Sequence, residues 1–162
     1  MVVVIRDATQ TDIPALDTLF GQIEVFHRVR EGDFFVEPTP EARFALVAQW
    51  VEADDRKILV ADDDEAGVVG MLHGFVRHIG GVSVVRERDV MVIDTIVVDE
   101  NHGRRGIGSQ LMTAAHEWGK TQNIHEFQLG VWAFNAGAIA LYEKLGYRTY
   151  QYRMVLNTDA DT

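Results

Sequence analysis

The sequence predicts an α/β fold. Three observations carry that prediction: β-branched and apolar runs of strand length recur along the chain, segments with apolar residues at helical spacing stand between them, and Val90 to Val98 is an almost unbroken apolar run suited to the middle of a sheet. With 162 residues, 47% of them hydrophobic and 25% charged, the chain has the length for one domain with its own core, read here as residues 1–157. Residues 158–162 read as a short, polar, disordered tail.

Val2 to Arg6 is a β-branched run and reads as the first strand. Thr9, Thr11 and Asp12 then offer helix starts before Ile13, Leu16, Leu19, Phe20 and Ile23, which recur on one helical face. Phe26 to Pro40 mixes charges, aromatic residues, Gly32 and two prolines, so it reads as an irregular connection able to line a pocket. A helical pattern resumes from Ala42 to Glu52 through Phe44, Val47 and Val51. Lys57 to Ala61 and Val68 to Arg77 read as strands around the acidic turn Asp62 to Gly67. That turn is not an EF-hand, because a loop counted from Asp62 has Ala66 fifth and His73 twelfth, where calcium ligands belong. After a Gly80-Gly81 turn comes the central run Val90 to Val98. Ile107, Leu111, Ala114, Ala115 and Trp118 mark a helix face, Phe127 to Val131 a strand, Asn135 to Leu145 a helix stopped at Gly146, and Tyr147 to Leu156 a closing strand.

Composition narrows the chemistry. A formal charge of −10 disfavours nucleic acid as a partner and favours cationic ones such as amines, while also serving solubility. There is no cysteine, so disulfides, thiolate metal sites and a cysteine nucleophile are excluded. The six histidines show no ligand spacing, and no metal is expected. No apolar run approaches the roughly 18 residues of a membrane span, and no secretory signal pattern opens the sequence, so a cytoplasmic protein without a membrane partner is expected.

One segment has the make-up of an anion site. Val97-Val98-Asp99-Glu100-Asn101-His102-Gly103-Arg104-Arg105-Gly106-Ile107-Gly108-Ser109 leads from a strand, through glycines and arginines, into an amphipathic helix. Glycines allow close backbone approach, and a helix start offers unpaired N–H groups and a positive dipole end, so phosphate is the natural guest. A Walker loop is excluded because Ser109 stands where its Lys is required, and a dinucleotide fingerprint from Gly106 fails at Leu111. A second segment runs from Val131 to Tyr147. Its Asn135 and Tyr142 are seven residues apart, which puts an amide and a phenol on nearly the same helical face.

Together these segments resemble the GNAT acyltransferase superfamily, most closely from Val92 to Tyr147. Its acyl-CoA motif is Gln or Arg, two residues, Gly, one residue, then Gly or Ala; here Gly103 departs at the first place and Gly106 and Gly108 match. Its later pattern is met by Asn135, Tyr142, Lys144, Gly146 and Tyr147. The resemblance implies a mixed central β-sheet flanked by helices, with two splayed central strands forming the acyl-CoA cleft. It further implies N-acetyl transfer from acetyl-CoA to a primary amine, on a small molecule or a protein, and a homodimer.

On that reading Gly103, Arg104, Arg105, Gly106, Ile107, Gly108 and Ser109 hold the pyrophosphate, backbone groups of Ile96, Val97 and Val98 bind the pantetheine arm and polarise the thioester, and Asn135 steadies the arm. Tyr142 is the general acid for the leaving thiolate. Asp94, inside the apolar strand, is the candidate base, with a pKa expected to be raised by burial. Glu24, His27 and Glu31, at the first helix and its exit, are candidate acceptor-binding residues. Without cysteine, direct attack by the amine in a ternary complex is favoured. The alternative is an acyl-CoA-binding regulatory module with little or no catalysis.

Overall fold

A computed structural model describes residues 2–158; residues 159–162 of the expected tail lie outside that range. Five strands, β1 (Val3–Asp7), β2 (Arg56–Asp63), β3 (Gly67–Ile79), β4 (Arg88–Val98) and β5 (Phe127–Leu129), form one mixed sheet in chain order. Neighbours from β1 to β4 pair antiparallel, and β5 pairs parallel to β4. The helices are α1 (Ile13–Arg28), α2 (Pro40–Glu52), α3 (Ile107–Thr121) and α4 (Ala136–Lys144).

Strand alternation divides the core in two. Along β2, Ile58 and Val60 join Met71 and the α1 and α2 residues Leu16, Leu19, Val47 and Trp50 on one face. Leu59 and Ala61 point the other way, to Ile107, Leu111, Met112 and Ala115 of α3 and Tyr142 of α4. With helices on both faces the central strands lose their polar side, which is why they read as continuous apolar runs.

Local chemistry sets the ends of these elements. The carboxylate of Asp12 accepts bonds from the Thr9 N–H and from Arg6, fixing the entry to α1. The α2 helix begins two residues before the sequence pattern does, because the Thr39 hydroxyl caps the Ala42 N–H and Pro40 suits a first turn. A bidentate Arg43–Asp17 pair and an edge-on Phe20–Trp50 contact with ring centroids 4.9 Å apart then lock α2 to α1.

Two expectations are corrected. The strand expected from Phe127 to Val131 ends at Leu129, where β4 turns away from it. Tyr147 to Leu156 is not a strand: among the described residues no strand follows α4, since an extended segment becomes one only against a hydrogen-bonding neighbour. Among the described residues no helix is long and apolar enough to cross a membrane.

Gly74 marks a tight point of the sheet. It lies opposite Ile93 where the β3–β4 register shifts, and an added Cβ would sit 2.8 Å from the Val92 carbonyl oxygen and 3.0 Å from the Met91 Cε. Gly74→Ala is therefore expected to destabilise the fold by about 1–3 kcal/mol, the usual range for overpacking. Urea unfolding checks this, and a midpoint equal to that of the parent chain would contradict it.

Candidate active site

The site begins with one extra residue. His73 faces Thr95 and Gly74 faces Ile93 across β3 and β4, so Asp94 has no partner in the ladder and forms a β-bulge. A bulge bends its strand and re-aims the side chain it carries. Pairing between β4 and β5 covers Met91 to Ile93 and stops there, at Ile93 opposite Leu129. From Asp94 to Val98 the β5-facing edge of β4 therefore has no paired strand among the described residues.

Asp94 is half exposed and lies against a fixed partner. The His73 ring is fully buried and stacked on Trp50, with centroids 4.2 Å apart and planes 10° apart. Arg56 Nη1 is 3.2 Å from His73 Nε2, and Nδ1 is 3.2 Å from Asp94 Oδ2. A guanidinium only donates, so Nε2 accepts and the proton sits on Nδ1, toward Asp94. The Nδ1 contact is close but not linear, and it misses hydrogen-bond geometry. The expected raised pKa of Asp94 is corrected here: the interaction with His73 leads in lowering it, against burial, with smaller help from Thr95 and Arg56. The carboxylate is ionised at neutral pH. Spacing along the sequence gave no sign of His73, because it reaches Asp94 from a different strand.

The loop after β4 is held from α1. Gln22 Nε2 donates to Asp99 Oδ2 at 2.8 Å, and its Oε1 accepts from the Glu100 N–H. Asp99 Oδ1 accepts from the Asn101 N–H and lies 3.1 Å from His102 Nδ1. These bonds, Gln22's first, hold the Asp99 carboxyl down at about 2, so its anchoring is fully present above the usual carboxylate range and lost as pH falls through that value. The chain then passes through Arg104 at φ +63° and Gly106 at φ +76°, both left-handed, and α3 starts at Ile107. The first N–H groups of α3 have no acceptor within the helix, and Ile107 shares a core cluster with Ile96 and Val98 of β4. Ile107 itself buries its side chain in the core, so only its backbone is available to a ligand.

The two arginines part company. Both are exposed, but Arg105 Nη2 lies 3.3 Å from the buried Asp63, which also accepts the N–H groups of Glu65 and Ala66 at the β2–β3 turn. Gly103 has φ −60° and ψ 159°, open to any residue, and an added Cβ meets only the Glu100 carbonyl oxygen, at 3.7 Å. Gly108 lets α3 approach α4, since a Cβ there would lie 3.3 Å from Leu141 Cδ2.

On α4, Asn135 caps the helix by accepting from the Ala138 N–H at 3.1 Å. Tyr142 is buried, its hydroxyl makes no hydrogen bond among the described residues, and burial pushes its pKa up to about 12. It stays protonated at neutral pH. Neighbouring Tyr147 is anchored to His116 by a 2.8 Å bond.

The acceptor candidates separate. His27 is stacked on Phe35, 5.3 Å between centroids, and lies 6.3 Å from Trp132 and 6.1 Å from Phe134; burial, with Arg30, lowers its pKa. Glu24 is drawn toward Arg43, 3.5 Å away, and burial raises its pKa. Glu31 is part-buried in the loop after α1. Trp132 and Phe134 were missed by the sequence analysis. Their alternation directly after β5 was the available signal, but only the fold brings them onto the aromatic loop of α1.

A family model described as the acetyltransferase (GNAT) family matches residues 24–147. The chain belongs to this family. An uncharacterized N-acetyltransferase of Methanocaldococcus jannaschii is 36% identical over 66 residues, 41% of this chain and 29% of that protein, so the match spans under a third of the relative's length. A tetramutant of the BH1408 protein from Bacillus halodurans superposes with a TM-score of 0.89 at 25% identity, covering 95% of this chain and 99% of that one. The aminoglycoside N-acetyltransferase AAC(6')-Iy, solved in complex with CoA, has a TM-score of 0.77 at 19% identity over 98% of this chain and 96% of that one, a likeness of fold.

Within this GNAT chain the His73–Asp94 contact makes a measurable difference. Because it favours ionised Asp94, it stabilises the fold above the carboxylate's ordinary range and is lost as pH falls through the lowered pKa. In His73→Phe, which keeps a ring on Trp50, burial acts unopposed by the imidazole. The Asp94 pKa, followed by carbon-detected NMR, is expected to rise; an unchanged titration would remove His73 as its cause.

Proposed function

We propose that this chain is an N-acetyltransferase that moves an acetyl group from acetyl-CoA to a primary amine by direct attack in a ternary complex. The observation that carries the reading is the parting of β4 from β5 at Asp94, which leaves a strand edge open beside the N-terminus of α3. A linear molecule with a diphosphate at one end and amides along its arm fits that pairing: phosphate to the N–H groups of Gly106 to Ser109, amides to the backbone of Ile96, Val97 and Val98. Gly103 and Arg104 flank the phosphates, and Arg105, whose guanidinium is held by Asp63, acts there through its backbone. Asn135 orients the arm from the cap of α4.

In the proposed reaction the amine nitrogen attacks the thioester carbonyl carbon, the C–N bond forms and the C–S bond breaks. Asp94, ionised and facing the cleft mouth, takes the ammonium proton directly or through water, with His73 holding it in place. Tyr142 donates to the departing thiolate. Glu24, His27 and Glu31, with Trp132 and Phe134, form the acceptor side, where aromatic faces and acidic groups suit a cationic amine. AAC(6')-Iy, which has also been solved with a CoA–acetylneamine bisubstrate analogue, supports a small polycationic acceptor; a protein amine is the second class. The chain is proposed to act as one domain over residues 1–157, in the cytoplasm, as a homodimer. A regulatory acyl-CoA-binding module is the rival reading. It is favoured by Gly103, where the superfamily motif has a side chain, and by the engagement of Arg105 with Asp63.

Thermal unfolding with acetyl-CoA, CoA and ATP separates the readings. Saturation at about 100 times Kd adds about 2.7 kcal/mol, and both CoA species, but not ATP, are expected to stabilise the fold. Tyr142→Phe is expected to lower kcat about 100-fold or more on an accepted amine with little change in acetyl-CoA affinity. Binding with no transfer across an amine panel would favour the regulatory module, and no binding would overturn both. Gly103→Gln, which has room for its side chain, is expected to tighten CoA binding about 2- to 10-fold, the worth of one hydrogen bond. Unchanged affinity by calorimetry would place position 103 away from the cofactor.

A further inference from the structure

Five aromatic side chains stand outside both cores. Phe26 lies on α1, Phe34 and Phe35 in the loop that follows it, and Trp132 and Phe134 in the segment after β5, and none of them packs into either face of the sheet. They pack on one another instead. The Trp132 ring centroid lies 5.2 Å from Phe34, 5.3 Å from Phe35 and 5.8 Å from Phe134, and Phe26 is 5.8 Å from Phe134. All five keep surface in contact with solvent, and Phe34 is 70% exposed. A ring left in water forfeits the burial that makes aromatic residues stabilising, so a set of five held together at the surface marks a contact site.

The fold puts this set where β4 and β5 part. Their pairing ends at Ile93 and Leu129, and the segment carrying Trp132 and Phe134 follows directly from β5. On the other side, Phe26 stands one helical turn after Gln22, which is bonded to Asp99 just beyond the end of β4. The rings therefore join the two strands that separate, with Phe26 and His27 from the β4 side meeting Phe134 and Trp132 from the β5 side.

Charge at this end is already largely matched within the chain. Arg30 Cζ lies 3.9 Å from the Phe26 ring centroid and 5.8 Å from that of Phe134, so a cation covers those two rings. Glu24 is drawn to Arg43 at 3.5 Å, and Glu37 is paired with Arg28 at 3.0 Å. His27, stacked on Phe35, is held toward its neutral form by burial and by Arg30. One ammonium can be met here, but further positive charges would face Arg30. What Trp132 and Phe34 still offer is flat apolar surface.

We infer that the acceptor is a primary amine built on an aromatic ring, the ring lying against Trp132 and Phe34 while the amine enters the cleft beside Asp94. This narrows the acceptor of the transfer proposed above and rests on it. The step is unchanged: the N–C bond forms and the C–S bond breaks, the ammonium proton passes to Asp94, and the thiolate takes a proton from Tyr142. Ring partners supply the selection, because edge and offset contacts between aromatic rings add to what area burial alone gives.

Steady-state release of the CoA thiol tests the inference with three amines: 2-phenylethylamine, 2-cyclohexylethylamine, which has the same carbon skeleton without the π-system, and spermidine as a polycation. The kcat/KM for 2-phenylethylamine is expected to exceed both others by about 10-fold. Phe34→Ala, which removes no core contact, and Trp132→Leu are each expected to raise the KM for 2-phenylethylamine and to erase most of its lead over the cyclohexyl amine. Acetyl-CoA affinity of Phe34→Ala, by calorimetry, should equal that of the parent chain. Equal use of the phenyl and cyclohexyl amines, or preference for spermidine, would overturn the aromatic acceptor and leave the acetyltransferase standing. A ring preference that survives both substitutions would overturn these side chains as its source. Acetylation of none of the three, nor of a wider amine panel, would overturn the transfer reading and this inference with it.

Discussion

The arrangement depends on a single added residue in β4. A β-sheet holds its strands about 4.8 Å apart as long as every residue has an opposite, and Asp94 has none. The bend that follows ends the β4–β5 pairing at Ile93 and opens the edge of Ile96 to Val98. The same residue carries the half-exposed carboxylate that lies 3.2 Å from His73, so the distortion and the placing of that carboxylate have one origin. Gly74 permits the distortion, because the Val92 carbonyl comes where a side chain would stand.

Around that bulge, fixed electrostatics do most of the placing. Arg56 sets the tautomer of His73, and His73 favours the ionised form of Asp94. Gln22 ties the Asp99 loop to α1, which sets where α3 begins and therefore where its dipole points. Tyr142, in contrast, is held by apolar packing alone, and the resulting burial keeps its phenol protonated. Opposite environments thus leave Asp94 an ionised carboxylate and Tyr142 a neutral phenol at neutral pH.

Much of this was legible in the sequence where the signal is local. The apolar run from Val90 to Val98, the Gly-Arg turn before Ile107 and the Asn135–Tyr142 spacing predicted elements that the structure contains, because strand burial, helix starts and helical faces are written over short stretches. Features that join distant strands were not legible. The bulge is a mismatch of register between β3 and β4, His73 stands 21 residues before Asp94, and Asp63 takes Arg105 from 42 residues away. The sequence also made Tyr147 to Leu156 a strand; the residues have that preference, but a preference needs a neighbour. Trp132 and Phe134 show the same limit, since an aromatic pair becomes a wall only when α1 ends against it.

In the proposed function, the open edge of β4 and the start of α3 bind acyl-CoA as one continuous site. Amide hydrogen exchange with and without CoA tests it residue by residue. Added protection is expected at Ile96 to Val98 together with Gly106 to Ser109, with little change along β1 and β2. Protection confined to another surface, or binding with no protection in these two segments, would contradict it.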